Sequence, residues 1–387
     1  MHQSIPMVDL KAQYERLRPF IDAEIARVIE SAHFIRGPIV GEFECELAAF
    51  LDVPYVLGVA NGTDALQVAM MALGIGPGDE VITPSFTFVA TAEAARVLGA
   101  TPVFVDVDHD TFNLDPTKLE QHITPRTKAI IPVHLFGQAA PLKEITAIGS
   151  KHGIPVIEDM AQAIGARCEG KHVGSFGDVG TISFFPSKNL GAYGDAGAVV
   201  TGSLELYERM KMIASHGSRK KYYNEIIGVN SRLDSLQAAI LKAKLPYLEQ
   251  FNSERAAAAS RYDQMLEDLE DLDVIVPRRA PGCTHVFHQY TIRVRGGSQL
   301  RSELQAELKR EGISTAVYYP KGLHQLPVNS DVEIPEGSLS VTETLVDEVL
   351  SLPIYPEISE KDQQRVVDAL ARAMKSLADE NAVGSRA

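Results

Sequence analysis

One lysine in this chain is set apart by its surroundings. The run Ser183-Phe184-Phe185-Pro186-Ser187-Lys188-Asn189-Leu190-Gly191, followed by Gly194-Asp195-Ala196-Gly197-Ala198, places Lys188 just after an apolar stretch, in a loop with several glycines. Most lysines are solvated surface charges; here a neighbouring serine and a glycine-rich turn leave space for a ligand. A lysine that forms Schiff bases must be deprotonated near neutral pH, which partial burial and cationic neighbours promote. The second group is Glu158-Asp159-Met160-Ala161-Gln162, at the end of another apolar stretch. A carboxylate at the carboxyl end of a parallel strand points into the crevice where α/β sheets bind ligands, although a helix N-cap explains Asp159 on its own. The third is Asn61-Gly62-Thr63-Asp64, between a strand and a helix. Free backbone N–H groups and the helix dipole make such a junction an anion site suited to phosphate. Paired with a lysine of this kind, a carboxylate is what a pyridine ring needs at its nitrogen to stay protonated and act as an electron sink.

Elements must exist to carry these groups. From Tyr55 to about Thr201, short apolar runs alternate with helical stretches. The runs are Tyr55–Ala60, Glu80–Pro84, Pro102–Asp106, Ala129–His134, Pro155–Glu158, Gly180–Phe184 and Ala198–Thr201. Several are rich in Val and Ile on both faces, as buried strands of a mainly parallel sheet should be. Helical patterns at Asp64–Leu73, Thr87–Leu98 and Leu142–Lys151 separate them, the βαβ signature. Upstream, Tyr14 to Ser31 has Leu17, Ile21, Ile25 and Val28 at helical spacing. After Pro246 the character shifts to a charged helix over Phe251–Leu269, a Pro277–Gly282 loop, a strand over His288–Val294 and helices over Ser298–Arg310 and Glu360–Leu377. The expectation is an α/β fold with a seven-stranded sheet in residues 1–246, a smaller α+β domain in residues 247–387, and a frayed end from Ala378.

Composition narrows the functions. The 387 residues are 45% hydrophobic and 23% charged, ordinary for a soluble globular protein. No signal-peptide pattern opens the sequence and no apolar run is long enough to span a membrane, so a cytoplasmic location is expected. The net charge of −14 disfavours nucleic acid, whose binding relies on neutralising phosphates. Cys45, Cys168 and Cys283 are odd in number and far apart, suggesting neither a disulfide framework nor a zinc site.

Together these elements resemble the sugar aminotransferases of the DegT/DnrJ/EryC1/StrS family, within the aspartate aminotransferase-like (fold type I) pyridoxal-phosphate enzymes. The resemblance also runs through Pro6–Leu10, Phe34-Ile35-Arg36-Gly37-Pro38, Gly76–Val81, Pro132–Gly137 and Asn230-Ser231-Arg232-Leu233-Asp234. It implies that Lys188 forms the Schiff base with pyridoxal 5'-phosphate, with Asp159 at the pyridine nitrogen and Gln162 at the ring hydroxyl. Phe88 would stack on the ring, and Gly62, Thr63 and Ser183 would hold the phosphate. Asn230 would reach the phosphate of a neighbouring subunit, which makes the expected assembly a homodimer with shared sites. The implied reaction is amino transfer, usually from glutamate, to a keto group of a nucleotide-linked sugar. His216-Gly217-Ser218 and the residues after it resemble members that aminate C3. Tyr193, Arg219, Lys220, Lys221, Tyr318 and His324 are the substrate-side candidates.

Three rivals are weaker. A sugar dehydratase of the same family would carry histidine in place of Lys188. A desulfurase would need a mobile catalytic cysteine. A regulatory DNA-binding protein would show a helix-turn-helix, a basic face and loss of the lysine.

Overall fold

Seven strands, apolar on both faces, lie side by side at the centre of the molecule. The computed structural model describes residues 4–267 and 273–384. Its first part runs α1 (Leu10–Ser31), α2 (Pro38–Leu51), β1 (Tyr55–Val59), α3 (Gly62–Ala72), β2 (Glu80–Pro84), α4 (Ala90–Val97), β3 (Thr101–Val105), β4 (Thr127–Ile130), α5 (Leu142–His152) and β5 (Ile157–Asp159). A small hairpin, β6 (Arg167–Cys168) and β7 (Lys171–His172), precedes β8 (Val179–Ser183), β9 (Gly197–Thr201) and α6 (Leu204–Ile213). A second hairpin, β10 (Ser218–Lys220) and β11 (Tyr223–Asn224), leads to α7 (Ser235–Lys244).

Strand β2 pairs in parallel with β3 and β4, and β5 in parallel with β8. Parallel bridges from Ile130 to Val156 and from Val133 to Asp159 join the two groups. Strand β9 lies antiparallel between β8 and β1, giving the order β1-β9-β8-β5-β4-β2-β3. One reversed strand in seven agrees with the mainly parallel sheet expected from the sequence. Both faces are covered: Leu66, Ala69, Ala94 and Met210 of α3, α4 and α6 pack with Val81, Ile157 and Val199 on one side, and Ile145 of α5 packs with Ile82, Val105 and Ile130 on the other.

The remainder comprises α8 (Leu248–Glu267), β12 (Val274–Ile275), β13 (Tyr290–Val294), α9 (Gly297–Arg310), α10 (Ser340–Glu348), β14 (Val349–Leu352) and α11 (Glu360–Gly384). It has its own core, in which Tyr262, Tyr290, Leu304, Leu350 and Leu370 are buried together. Ile5 joins that core and bridges Ile313, so the start of the chain packs with its end.

Several expectations are corrected. The last helix continues past Leu377 to Gly384, while residues 385–387 of the expected frayed end, and 268–269 of the expected helix ending at Leu269, lie outside the described residues. Helix α4 begins at Ala90, which leaves Thr87 and Phe88 in a loop. Cys168 and Cys283 form a disulfide although 115 residues separate them. Spacing could not show this, because the two segments meet through an antiparallel bridge that exists only in the folded chain.

Candidate active site

Three elements end or begin at one edge of the sheet. Strand β5 closes on Asp159, β8 closes on Ser183, and α3 opens at Gly62. The edge frames a cavity of about 630 Å³ that is lined by Lys188, Asp159, Gln162, Gly62, Thr63, Phe88, Ser183 and Tyr318. Eight of the residues singled out from sequence therefore share one wall system.

The N-terminus of α3 is held by Asn61, whose side chain accepts from the Asp64 N–H at 2.8 Å. Gly62 must lack a side chain, since a Cβ there would come within 2.7 Å of Ser183 Cβ. Asp159 is fixed through its backbone: its N–H donates to the Pro132 carbonyl and its carbonyl accepts from the His134 N–H. Its carboxylate accepts from Thr91 Oγ1 at 2.9 Å and from the Ala161 N–H at 3.1 Å. Burial pushes the Asp159 carboxyl up, while Ala161, Thr91 and Lys188 pull against it. Burial pushes the Lys188 amine down to about 8, with Asp159 acting the other way. The amine thus loses its proton nearer neutrality than a surface lysine does. Gln162 Oε1 accepts from the Phe136 N–H at 2.7 Å, and its Nε2 donates to Tyr319 Oη at 3.1 Å.

Other candidates lie elsewhere in the chain's own structure. Arg219, Lys220 and Lys221 sit on the exposed β10–β11 hairpin, with Tyr222 at 84% exposure at its tip. Asn230 is exposed and bridges Ser215. Tyr193 packs edge-on against Tyr14, with Lys244 Nζ 4.2 Å from its ring centre. His324 Nδ1 bonds Ser85 Oγ at 2.7 Å instead of lining the cavity. Conversely, the cavity wall includes Thr87, His288 and Tyr319, none of them candidates from sequence. Tyr319 directly follows the candidate Tyr318. His288 fell inside an expected strand that in fact starts two residues later, at Tyr290.

A mainly parallel sheet whose carboxyl-terminal edge carries a buried amine and carboxylate is the architecture of the aspartate aminotransferase-like, fold-type I enzymes. The S. venezuelae DesV structure, in complex with a ketimine intermediate, has a TM-score of 0.91 to this chain at 44% identity, covering 96% of this chain and 99% of that one. The DegT/DnrJ/EryC1/StrS aminotransferase family model matches residues 15–371, and the chain belongs to that family. Among curated relatives, the UDP-2-acetamido-2-deoxy-3-oxo-D-glucuronate aminotransferase of Pseudomonas aeruginosa is 48% identical over 91% of this chain and 95% of its own length. A Geobacillus stearothermophilus protein named pleiotropic regulatory protein is 48% identical over 97% of this chain and 100% of its own length.

Proposed function

We propose that this protein is a pyridoxal-phosphate-dependent aminotransferase that moves an amino group, from a donor such as glutamate, to the C3 keto group of a nucleotide-linked sugar. The observation that carries the reading is the Lys188 amine and the Asp159 carboxylate on one cavity, with the N-terminus of α3 at its rim. The donor set suits the cofactor. Gly62 lets Ser183 come close to the helix start, Asp159 has a carboxylate fixed by two donors, and Thr87 Oγ1 is buried in the wall with no hydrogen-bond partner among the described residues. The 3-oxo sugar substrate named for the Pseudomonas relative supports C3. The regulatory name of the Geobacillus relative favours a non-catalytic member, but this chain keeps both the lysine and the carboxylate.

When bound, the cofactor would supply an electron sink for the bonds at the amino carbon. Lys188 would hold it and, as a free amine, move the proton that amino transfer requires. Asp159 would keep the ring nitrogen charged, Gln162 would face the ring hydroxyl and Phe88 would cover the ring. Gly62, Thr63 and Ser183 would hold the phosphate at the helix N-terminus, together with Asn230 of the partner subunit in a homodimer. In that dimer the Arg219–Lys221 hairpin, which does not line its own cavity, would serve the sugar nucleotide of the partner's site, and Tyr318 the sugar of its own. Tyr193 and His324 would act from the margins. A cytoplasmic location and a division near residue 246, supported by the separate C-terminal core, belong to the same reading; among the described residues no helix is long and apolar enough to cross a membrane.

The test is to load the enzyme with the aminated cofactor and offer a panel of keto nucleotide sugars. An amino sugar should form from a 3-keto member, one per site, as the cofactor returns to its aldehyde form. Conversion of a 4-keto sugar alone would move the reaction to another carbon, and no conversion of any keto sugar would remove the reading.

A further inference from the structure

The Lys188 amine has one hydrogen-bond partner among the described residues, His288 Nε2 at 3.5 Å. His288 is 6% exposed, lines the cavity, and has its Nδ1 buried with no hydrogen-bond partner among the described residues. Buried ring nitrogens are normally satisfied; here Nε2, facing the Lys188 amine, makes the ring's one hydrogen bond among the described residues.

Both members of the pair are held from behind. Beside Lys188, Asn189 Nδ2 donates to the Val286 carbonyl at 2.9 Å and to Asn252 Oδ1 at 2.7 Å. This ties the lysine loop to the segment that carries the histidine. Beside His288, the buried Arg255 donates to the carbonyls of Phe287 at 3.1 Å and Ile354 at 3.0 Å. The Val286 N–H donates to the Gly137 carbonyl, and a Cβ at Gly137 would fall 3.0 Å from the His288 backbone nitrogen. The juxtaposition is thus fixed by backbone on both sides. The charged groups that act on the ring are Lys188 from the β8–β9 loop and Arg255 from α8, and the ring shares its cavity with Asp64, Asp159, Asp195, Tyr318 and Tyr319. Burial, Lys188 and Arg255 all disfavour the imidazolium, so the ring is neutral.

We propose that His288 is a positioning residue for Lys188, its Nε2 accepting a hydrogen bond from the amine in both protonation states and so keeping it aimed into the cavity while it exchanges a proton. An amine retains N–H donors whether charged or not, so one neutral acceptor serves both forms. A carboxylate there would favour the ammonium and oppose proton release. With Nε2 as acceptor, the ring proton lies on Nδ1. The inference deepens the aminotransferase reading and rests on it for its kinetic arm only.

The test begins with the full-length chain freed of cofactor, in which the pH dependence of Lys188 acetylation is followed by peptide mass spectrometry. His288→Leu should move the midpoint of that profile down by about one pH unit, because the acceptor, though it serves both forms, holds the ammonium more strongly than the neutral amine. In the holoenzyme the same change should lower kcat about 10–100-fold with the donor KM little altered. His288→Gln, whose amide oxygen can accept, should recover part of both. An unmoved midpoint with kcat within about twofold of wild type would overturn the proposal. Should His288→Leu fail to fold, the 15N shifts of the wild-type ring decide: a neutral Nδ1–H tautomer whose Nε2 responds to the Lys188 titration is expected, and a ring protonated on Nε2 overturns it. If the wild-type holoenzyme transfers no amine, the aminotransferase reading fails while the acetylation midpoints still decide the role of His288.

Discussion

Lys188 and Asp159 each occupy a place where their charge is disfavoured, and that cost can be measured without substrate. The folded protein unloads the Lys188 proton near 8, whereas an unfolded chain does so near 10.5. Below pH 8 both states carry the ammonium, and only the folded one does so at a cost. Between those values the unfolded state binds more protons, so the penalty is progressively relieved as pH rises. Cofactor-free Lys188→Met should therefore be more stable than wild type at pH 7, by on the order of 1–3 kcal/mol. The advantage should shrink from pH 8 upward and be nearly gone above 10.5. Thermal melts across that range check the sign; an advantage that grows with pH would contradict it. Asp159→Asn should keep the fold, since an amide oxygen can still accept from Thr91 or Ala161. It should nevertheless lose about 2–5 kcal/mol of transition-state stabilisation, because a neutral partner no longer holds a charged ring nitrogen. Near wild-type turnover would reduce Asp159 to a role in capping the turn that follows β5.

At the scale of elements, the anion site depends on how closely α3 approaches β8 and β9. A Cβ on Gly197 would lie 2.5 Å from the Asn61 carbonyl carbon and oxygen and 2.9 Å from the Gly62 nitrogen, all backbone. A Cβ on Gly62 would instead meet the Ser183 side chain first. Backbone cannot rotate aside, so Gly197→Ala should destabilise by about 1–3 kcal/mol and more than Gly62→Ala. It should also weaken pyridoxal-phosphate binding at least tenfold, a change of about 1.4 kcal/mol, even though Gly197 does not line the cavity. Melting temperature and cofactor titration measure the two effects. Gly197→Ala with unchanged cofactor affinity would show that the start of α3 does not hold the phosphate.

At the scale of the molecule, the exposed hairpin and Asn230 find a use only if a second copy supplies the other half of each site. Co-folding Lys188→Ala with Asn230→Ala tests this. In the shared arrangement both defects fall in one site of the heterodimer, and the other site is intact. A two-fold dimer exchanged at equal amounts should then recover about a quarter of wild-type activity. Recovery no greater than either homodimer, with exchange demonstrated, would mean that Asn230 serves its own chain or none.

Residue type and order alone determined much of this protein. The seven strands were legible because strands buried on both faces are written as continuous Val- and Ile-rich runs. The lysine loop, Asp159 and Asn61–Asp64 were legible because each follows such a run, where a parallel sheet opens its ligand crevice. Tertiary structure decided what depends on distant segments meeting. His288 was hidden inside an apparent strand, and its backbone segment is set beside the lysine loop by Arg255, Asn189 and Gly137, which come from three parts of the chain. Cys168 meets Cys283, and His324 meets Ser85, through pairings that no local pattern encodes. Local sequence fixes backbone preference over a few residues. Which side chains share a cavity is settled by how those elements pack.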